Sequence, residues 1–139
     1  MSGEYGLSGF LLYGKMKLVA LLLFLASGAA RGDEAECLAD IMYQEARGES
    51  LEGVVAVGQA ALQKAKRERS GVCKLKGVKR QRPHRQIVDY YTTLARQLIS
   101  KPSISVSLGA DHWDKGKPHL PGKVTRSIGK HTFYVLEGK

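Results

Sequence analysis

The sequence predicts an α+β fold, a compact single domain of three main helices followed by a small β-sheet. Three observations carry this. Apolar residues recur at helical spacing in three separate segments between residues 33 and 100. Beyond Pro102 the pattern changes to short alternating or β-branched runs, broken by Gly, Pro and His. Helices come first and strands follow, the order of an α+β domain rather than of repeated βαβ units. The length of 139 residues suits one domain with a modest core.

Each element has its own signal. Asp33 can cap the first helix, with Glu36 three residues on as in a capping box. That helix is expected to run to about Arg47, and Gly48 supplies its stop. A second helix is expected from Leu51 to about Arg69. Its small-residue face of Val54, Val57, Ala61 and Ala65 allows close packing. Lys64, Lys66, Arg67 and Arg69 crowd its last turns, where cations suit the helix dipole. Lys74 to Arg85 is basic, contains Pro83 and reads as an exposed loop. A third helix is expected from Gln86 to Ser100, with Ile87, Tyr91, Leu94, Ala95 and Leu98 on one face. Lys101-Pro102 stops it. Ser103 to Leu108 alternates strictly and is expected to be a half-buried strand. Residues 109–130 are rich in Gly, Pro and His and are expected to form a shaped loop. Thr132 to Leu136 is a second strand candidate.

The N-terminal 32 residues have a different character. Lys15-Met16-Lys17 precedes the apolar run Leu18 to Leu25, and small residues follow from Ala26 to Ala30. This is the pattern of a secretory signal, and the run is short for a membrane span. Two readings stand, a cleaved signal peptide and an uncleaved signal anchor; Met1 and Met16 are both candidate starts. Either way, residues 33–139 are expected to be an exported domain in the periplasm, cell wall or extracellular space, tethered to the inner membrane if the signal stays. The formal net charge is +9. Residues 1–32 hold Lys15, Lys17 and Arg31 against Glu4, so most of the excess belongs to the exported part. A basic domain there favours an anionic cell envelope. The basic loop lacks interleaved aromatic residues, so no nucleic-acid partner is expected. The two cysteines, Cys37 and Cys73, suggest a disulfide in an exported domain. A zinc site of two Cys and two His is the alternative, without the CxxC spacing that would support it.

The residue that points to chemistry is Glu45. On the first helix, Leu38, Ile41, Met42 and Glu45 follow the i, i+3, i+4, i+7 spacing of one apolar face. A carboxylic acid there is partly desolvated, which disfavours its charged form. An acid that keeps its proton near neutral pH can serve as a general acid. The competing reading is a solvated Glu at a helix end.

Three segments then stand out together. They are Tyr43-Gln-Glu45-Ala-Arg-Gly-Glu49 with the helix behind it, Gly109-Ala-Asp111-His112-Trp113, and Ile128-Gly-Lys-His131-Thr-Phe-Tyr134. In composition and order they resemble the SleB-like cell wall hydrolases, the family of spore-cortex-lytic enzymes and phage lysins. The resemblance covers roughly residues 37–134. It implies a lysozyme-like α+β domain that cleaves the glycan strand of peptidoglycan between MurNAc and GlcNAc, as a lytic transglycosylase without a cofactor or metal. It carries the catalytic role to Glu45. Cys37 and Cys73 also fall where many exported members have cysteines. A small exported protein of this kind fits a phage endolysin or an accessory enzyme of wall remodelling, and a monomer is expected.

The other motif residues have milder expected roles. Tyr43, Trp113 and Tyr134 can stack on or hydrogen-bond sugar rings. Glu49 can hold Arg47 or a backbone amide. His112 and His131 can orient Glu45 or the sugar. Asp111 is the candidate second carboxylate if the reaction is hydrolytic. The chain departs from the family in two places. Gln63-Lys64-Ala65 stands where members usually have Asn-Arg-Val, and Gln81-Arg82-Pro83 stands where they have Gln-Phe-Ser beside the glycan cleft. Two other classes remain open. One is a zinc-dependent amidase or peptidase using His112 and His131. The other is a non-catalytic, basic envelope-binding protein.

Overall fold

The computed structural model describes residues 34–76 and 85–138. The N-terminal extension, Asp33 of the capping box, and the Gln81-Arg82-Pro83 segment lie outside the described residues. The fold is α+β, with helices followed by a three-stranded antiparallel sheet.

The first helix, α1, spans residues 34–46. Its apolar stripe works as its spacing predicts: Leu38, Ile41 and Met42 are fully buried. Gly48 adopts φ +84°, the left-handed conformation that ends the helix. Two residues later Ser50 opens α2, Leu51–Arg67, by accepting a hydrogen bond from the Gly53 N–H at 3.3 Å. The small-residue face of α2 is buried throughout, at Val54, Val57, Ala61 and Ala65. Gly58 marks a close approach of the helices. A Cβ at this position would lie 2.6 Å from Leu98 Cδ1 and 3.0 Å from Met42 Sδ. The side chains of the first and third helices thus meet on a glycine of the second.

A 3₁₀ turn, Val72–Lys74, follows α2. It holds Cys73, which is bonded to Cys37 in the first turns of α1 with the two Cα atoms 5.2 Å apart. The two-cysteine zinc alternative therefore loses both its thiolates. The third helix, α3, is Arg85–Ser100. Ala95 and Leu98 face the core, while Ile87, expected on the same face, is exposed near the helix start.

The strand expected over Ser103 to Leu108 does not form. This segment is a series of turns. Leu108 N–H bonds the Ile104 carbonyl at 2.7 Å, and Leu108 itself has φ +53°. The side-chain oxygen of buried Gln59 accepts from the consecutive N–H groups of Val106 and Ser107, at 3.0 and 2.9 Å. In a strand, two consecutive N–H groups point to opposite sides and cannot share one acceptor. The alternation also fails as a burial pattern, since Ile104 and Leu108 are both exposed.

The segment expected to be a loop supplies two strands instead. They are β1, His112–Lys115, and β2, Gly122–Ile128. The last strand, β3, His131–Leu136, pairs with both, giving the order β1-β3-β2. A two-residue turn, Gly129-Lys130, joins β2 to β3, with Ile128 opposite His131. A bulge at Thr125 shifts the register between Val124 and Arg126. The Thr125 hydroxyl donates to the Ser107 carbonyl at 2.9 Å, fastening the turn segment to the sheet. Among the described residues, no helix is long and apolar enough to cross a membrane.

Candidate active site

A cleft of about 230 Å³ opens beside the last turn of α1. Glu45 lines it from the helical side. Lys64 enters from α2 and Lys76 from the segment after the 3₁₀ turn. The sheet side is formed by His112, Trp113 and Asp114 of β1 and Tyr134 of β3, with His119 and Leu120 from the β1–β2 connection. Glu45 is half-buried rather than fully buried, because the end of its helix lies against this opening. Among the described residues, no hydrogen bond engages its carboxyl group. The cleft thus contains two carboxyl groups, and they differ in what surrounds them.

The second is Asp114. Its Oδ2 accepts from the Tyr134 hydroxyl at 2.7 Å and the His119 backbone N–H at 3.0 Å, and the His119 ring lies 2.6 Å away. Burial alone would raise its pKa. The His119 N–H, the Tyr134 hydroxyl and the His119 ring outweigh burial and hold the carboxyl below the usual range. Burial and the bond to Asp114 push the Tyr134 phenol well above its ordinary value, so it stays a donor. Tyr134 is fully buried, so it supports Asp114 and offers no ring face to a ligand.

Behind β1 runs a chain of polar contacts. Asp111 is buried and accepts from Arg67 of α2, from the Leu136 N–H at 3.2 Å, and from His112 Nδ1 at 2.9 Å. Burial would raise its pKa, but the bonds from His112, Arg67 and Leu136 win and lower it. The other His112 nitrogen, Nε2, lies 3.3 Å from Lys64 Nζ. Lys64 also lies 3.4 Å from Glu68 one turn along its helix. His112 therefore faces the cleft with both nitrogens engaged. Asp111 does not line that cleft; it borders a separate depression with Gln63, Lys66, Arg67 and Gly109. The carboxylate that shares the cleft with Glu45 is Asp114, not Asp111.

A second group sits beneath Glu45. Glu49 lies over the β2–β3 turn, where a Cβ on Gly129 would fall 2.1 Å from its Oε2. Its Oε1 is 3.8 Å from Nδ1 of His131, which is 1% exposed. Neither ring nitrogen of His131 has a hydrogen-bond partner among the described residues. Burial pushes this imidazole below its ordinary value; Glu49 and Glu45 oppose the shift, and Lys115 reinforces it. Glu49 and His131 do not line the cleft; His131 borders a separate depression with Lys115, Gly129 and Lys130.

Tyr43 also stands apart from the cleft. Its ring packs edge-on against Tyr91 of α3, with centroids 5.6 Å apart, and Arg47 lies over it. Trp113 both borders the cleft and packs on the hydrophobic core. Of the residues expected to contact substrate, His112, Trp113 and Tyr134 line the cleft with Glu45, while Tyr43, Glu49, Asp111 and His131 do not. His112 and His131, the ligands of the zinc alternative, are held in different surroundings. Among the described residues, no three His, Cys, Asp or Glu side chains are grouped to hold a metal. The sequence reading missed Lys64, Lys76, Asp114, His119 and Leu120. Period-two alternation would have placed Asp114 on the same face as His112, had residues 112–115 been read as a strand.

In comparison with known proteins, the chain matches no family model, no curated protein and no solved structure.

Proposed function

We propose that residues 33–139 are an exported peptidoglycan-cleaving enzyme of the lysozyme-like kind, and that it acts as a lytic transglycosylase with Glu45 as its acid. The observation that carries this reading is the contrast between the two cleft carboxyl groups. Asp114 is held ionised by three donors, while Glu45 has no hydrogen-bond partner for its carboxyl group among the described residues and faces the opening. One uncommitted carboxyl group is what an intramolecular transglycosylation needs. Each of the three segments that resemble SleB-like hydrolases contributes at least one residue to this cleft, Glu45 from the first, His112 and Trp113 from the second and Tyr134 from the third. The disulfide supports an oxidising compartment.

In this reading Glu45 gives its proton to the glycosidic oxygen as the bond from C1 of the muramic acid residue breaks. The electron pair of that bond leaves with the oxygen, which becomes the hydroxyl of the departing sugar. The 6-hydroxyl oxygen of the same muramic residue then bonds to C1 and closes a 1,6-anhydro ring. Its proton returns to the Glu45 carboxylate, restoring the acid. No water enters, in contrast to glycosidases that pair two carboxyl groups.

Replacement of Glu45 by Gln keeps the shape and removes the transferable proton. General acid–base catalysis contributes about 10²–10⁴-fold, so turnover of purified peptidoglycan should fall by at least the lower figure. Equal turnover by wild type and Glu45→Gln would overturn the assignment.

A further inference from the structure

Resting on that reading of the cleft, we propose that Lys64 is a carboxylate-recognition point that makes the enzyme select acidic glycan over neutral glycan. Asp111 sets the tautomer of His112. An ionised carboxylate can only accept, so the His112 nitrogen 2.9 Å from it, Nδ1, carries the hydrogen. Nε2 then presents a lone pair, and Lys64 Nζ, 3.3 Å away, donates to it. An ammonium group has three N–H donors. His112 takes one and Glu68 a second, and among the described residues the third is left for the cleft that Lys64 lines.

The position of this cation is fixed from behind. Asp111 is anchored by Arg67 and the Leu136 N–H, His112 by Asp111, and Lys64 by His112. A lysine held in place loses less freedom when it meets a ligand. Among the described residues its charge also stays largely uncompensated toward the cleft. Glu68, its i+4 neighbour at the end of the helix, is one-third exposed and does not line the cleft, so solvent screens this pair in part. Asp114 is already answered by Tyr134 and His119. Lys76 adds a second cation at the exposed rim. A sugar substituent with a negative charge is therefore what this wall is built to meet.

The chemistry is a carboxylate carried on the sugar beside the scissile bond. It can come from the lactyl group of a stem-free muramic acid residue or from a peptide stem. The test uses the full exported domain carrying Glu45→Gln, so that binding is read without turnover. Trp113, the chain's one tryptophan, borders the cleft and reports binding by fluorescence. Three probes of equal length are titrated: a stem-free MurNAc–GlcNAc tetrasaccharide, the same sugar with dipeptide stems, and a neutral GlcNAc tetrasaccharide. At least one acidic probe should bind about tenfold or more tightly than the neutral one, as one charge-assisted contact implies. Whichever acidic probe shows the preference identifies the source of the carboxylate. Adding Lys64→Met should abolish the preference, and Lys64→Arg should keep most of it. Raising salt should weaken binding of the acidic probe alone, a readout that needs no Lys64 variant to fold. Equal affinity for acidic and neutral probes would overturn the proposal, as would a preference that survives in a folded Lys64→Met protein. Failure of all three probes to bind would instead overturn the glycan reading, and this inference with it.

Discussion

Opening the Cys37–Cys73 bond releases a loop whose ends are 36 residues apart in sequence. In the chain-entropy account, a crosslink of this span restricts the unfolded chain by about 4 kcal/mol. Losses on removing a native disulfide run from about 2 kcal/mol upward. For a domain of this size, each kcal/mol moves the melting temperature by about 4–8 °C. A loss of 2–4 kcal/mol thus becomes a fall of roughly 8–30 °C. The structure adds a functional consequence. Cys37 belongs to the helix whose last turn carries Glu45, and Lys76, three residues beyond Cys73, lines the cleft. Reduction should therefore lower activity even below the new melting temperature. The assay is thermal unfolding followed by circular dichroism, with and without reductant, on protein harvested from an oxidising compartment. The double variant Cys37→Ala/Cys73→Ala should match the reduced protein. A shift under about 4 °C, equivalent to about 1 kcal/mol, would refute the reasoning. So would two freely titrating thiols in the untreated protein.

Three further outcomes follow from particular contacts. Gly58→Ala places a methyl group 2.6 Å from Leu98 Cδ1 and 3.0 Å from Met42 Sδ; overpacking of about 1–3 kcal/mol, set against about 1 kcal/mol of helix propensity gained, should leave a net loss of up to about 2 kcal/mol, seen as a lower denaturation midpoint. Asp111 has a depressed folded-state pKa, so its contribution to stability is present above its unfolded value of about 3.9 and is lost as pH falls below it. The melting temperatures of wild type and Asp111→Asn should therefore differ most at neutral pH and converge toward pH 2; a constant gap would refute this. Glu45→Gln should keep the wild-type melting temperature within a few degrees while losing about a hundredfold or more in turnover, which distinguishes a chemical role from a structural one.

The helices were legible because their signals are local. The stripe of Leu38, Ile41 and Met42, the stop at Gly48 and the crowded small residues of α2 each act within a few turns, and each is found where its pattern places it. The sheet was not legible, because its strands are defined by partners distant in sequence. Ser103 to Leu108 alternates well, yet no strand pairs with it, and Gln59 of α2 captures its N–H groups. β2 is broken by a bulge at Thr125 and exposes Val124, so its alternation is hidden. The same limit applies to the cleft. Glu45 was visible from helical period alone. Choosing between Asp111 and Asp114 required knowing that β1 begins at His112, which turns Asp114 to the cleft and buries Asp111 behind it. Lys64 read as one of several dipole-matching cations at a helix end; only the chain through His112 and Asp111 distinguishes it.

The most direct test of the account is mass spectrometry of peptidoglycan digested by the purified exported domain. Cleavage at the glycan strand with closure by the 6-hydroxyl predicts muropeptides ending in 1,6-anhydro-muramic acid, one water lighter than hydrolysed ends. Reducing ends throughout would contradict the single-carboxyl mechanism and bring Asp114 forward as a second catalytic carboxylate. Intact glycan with severed stems would contradict glycan cleavage altogether.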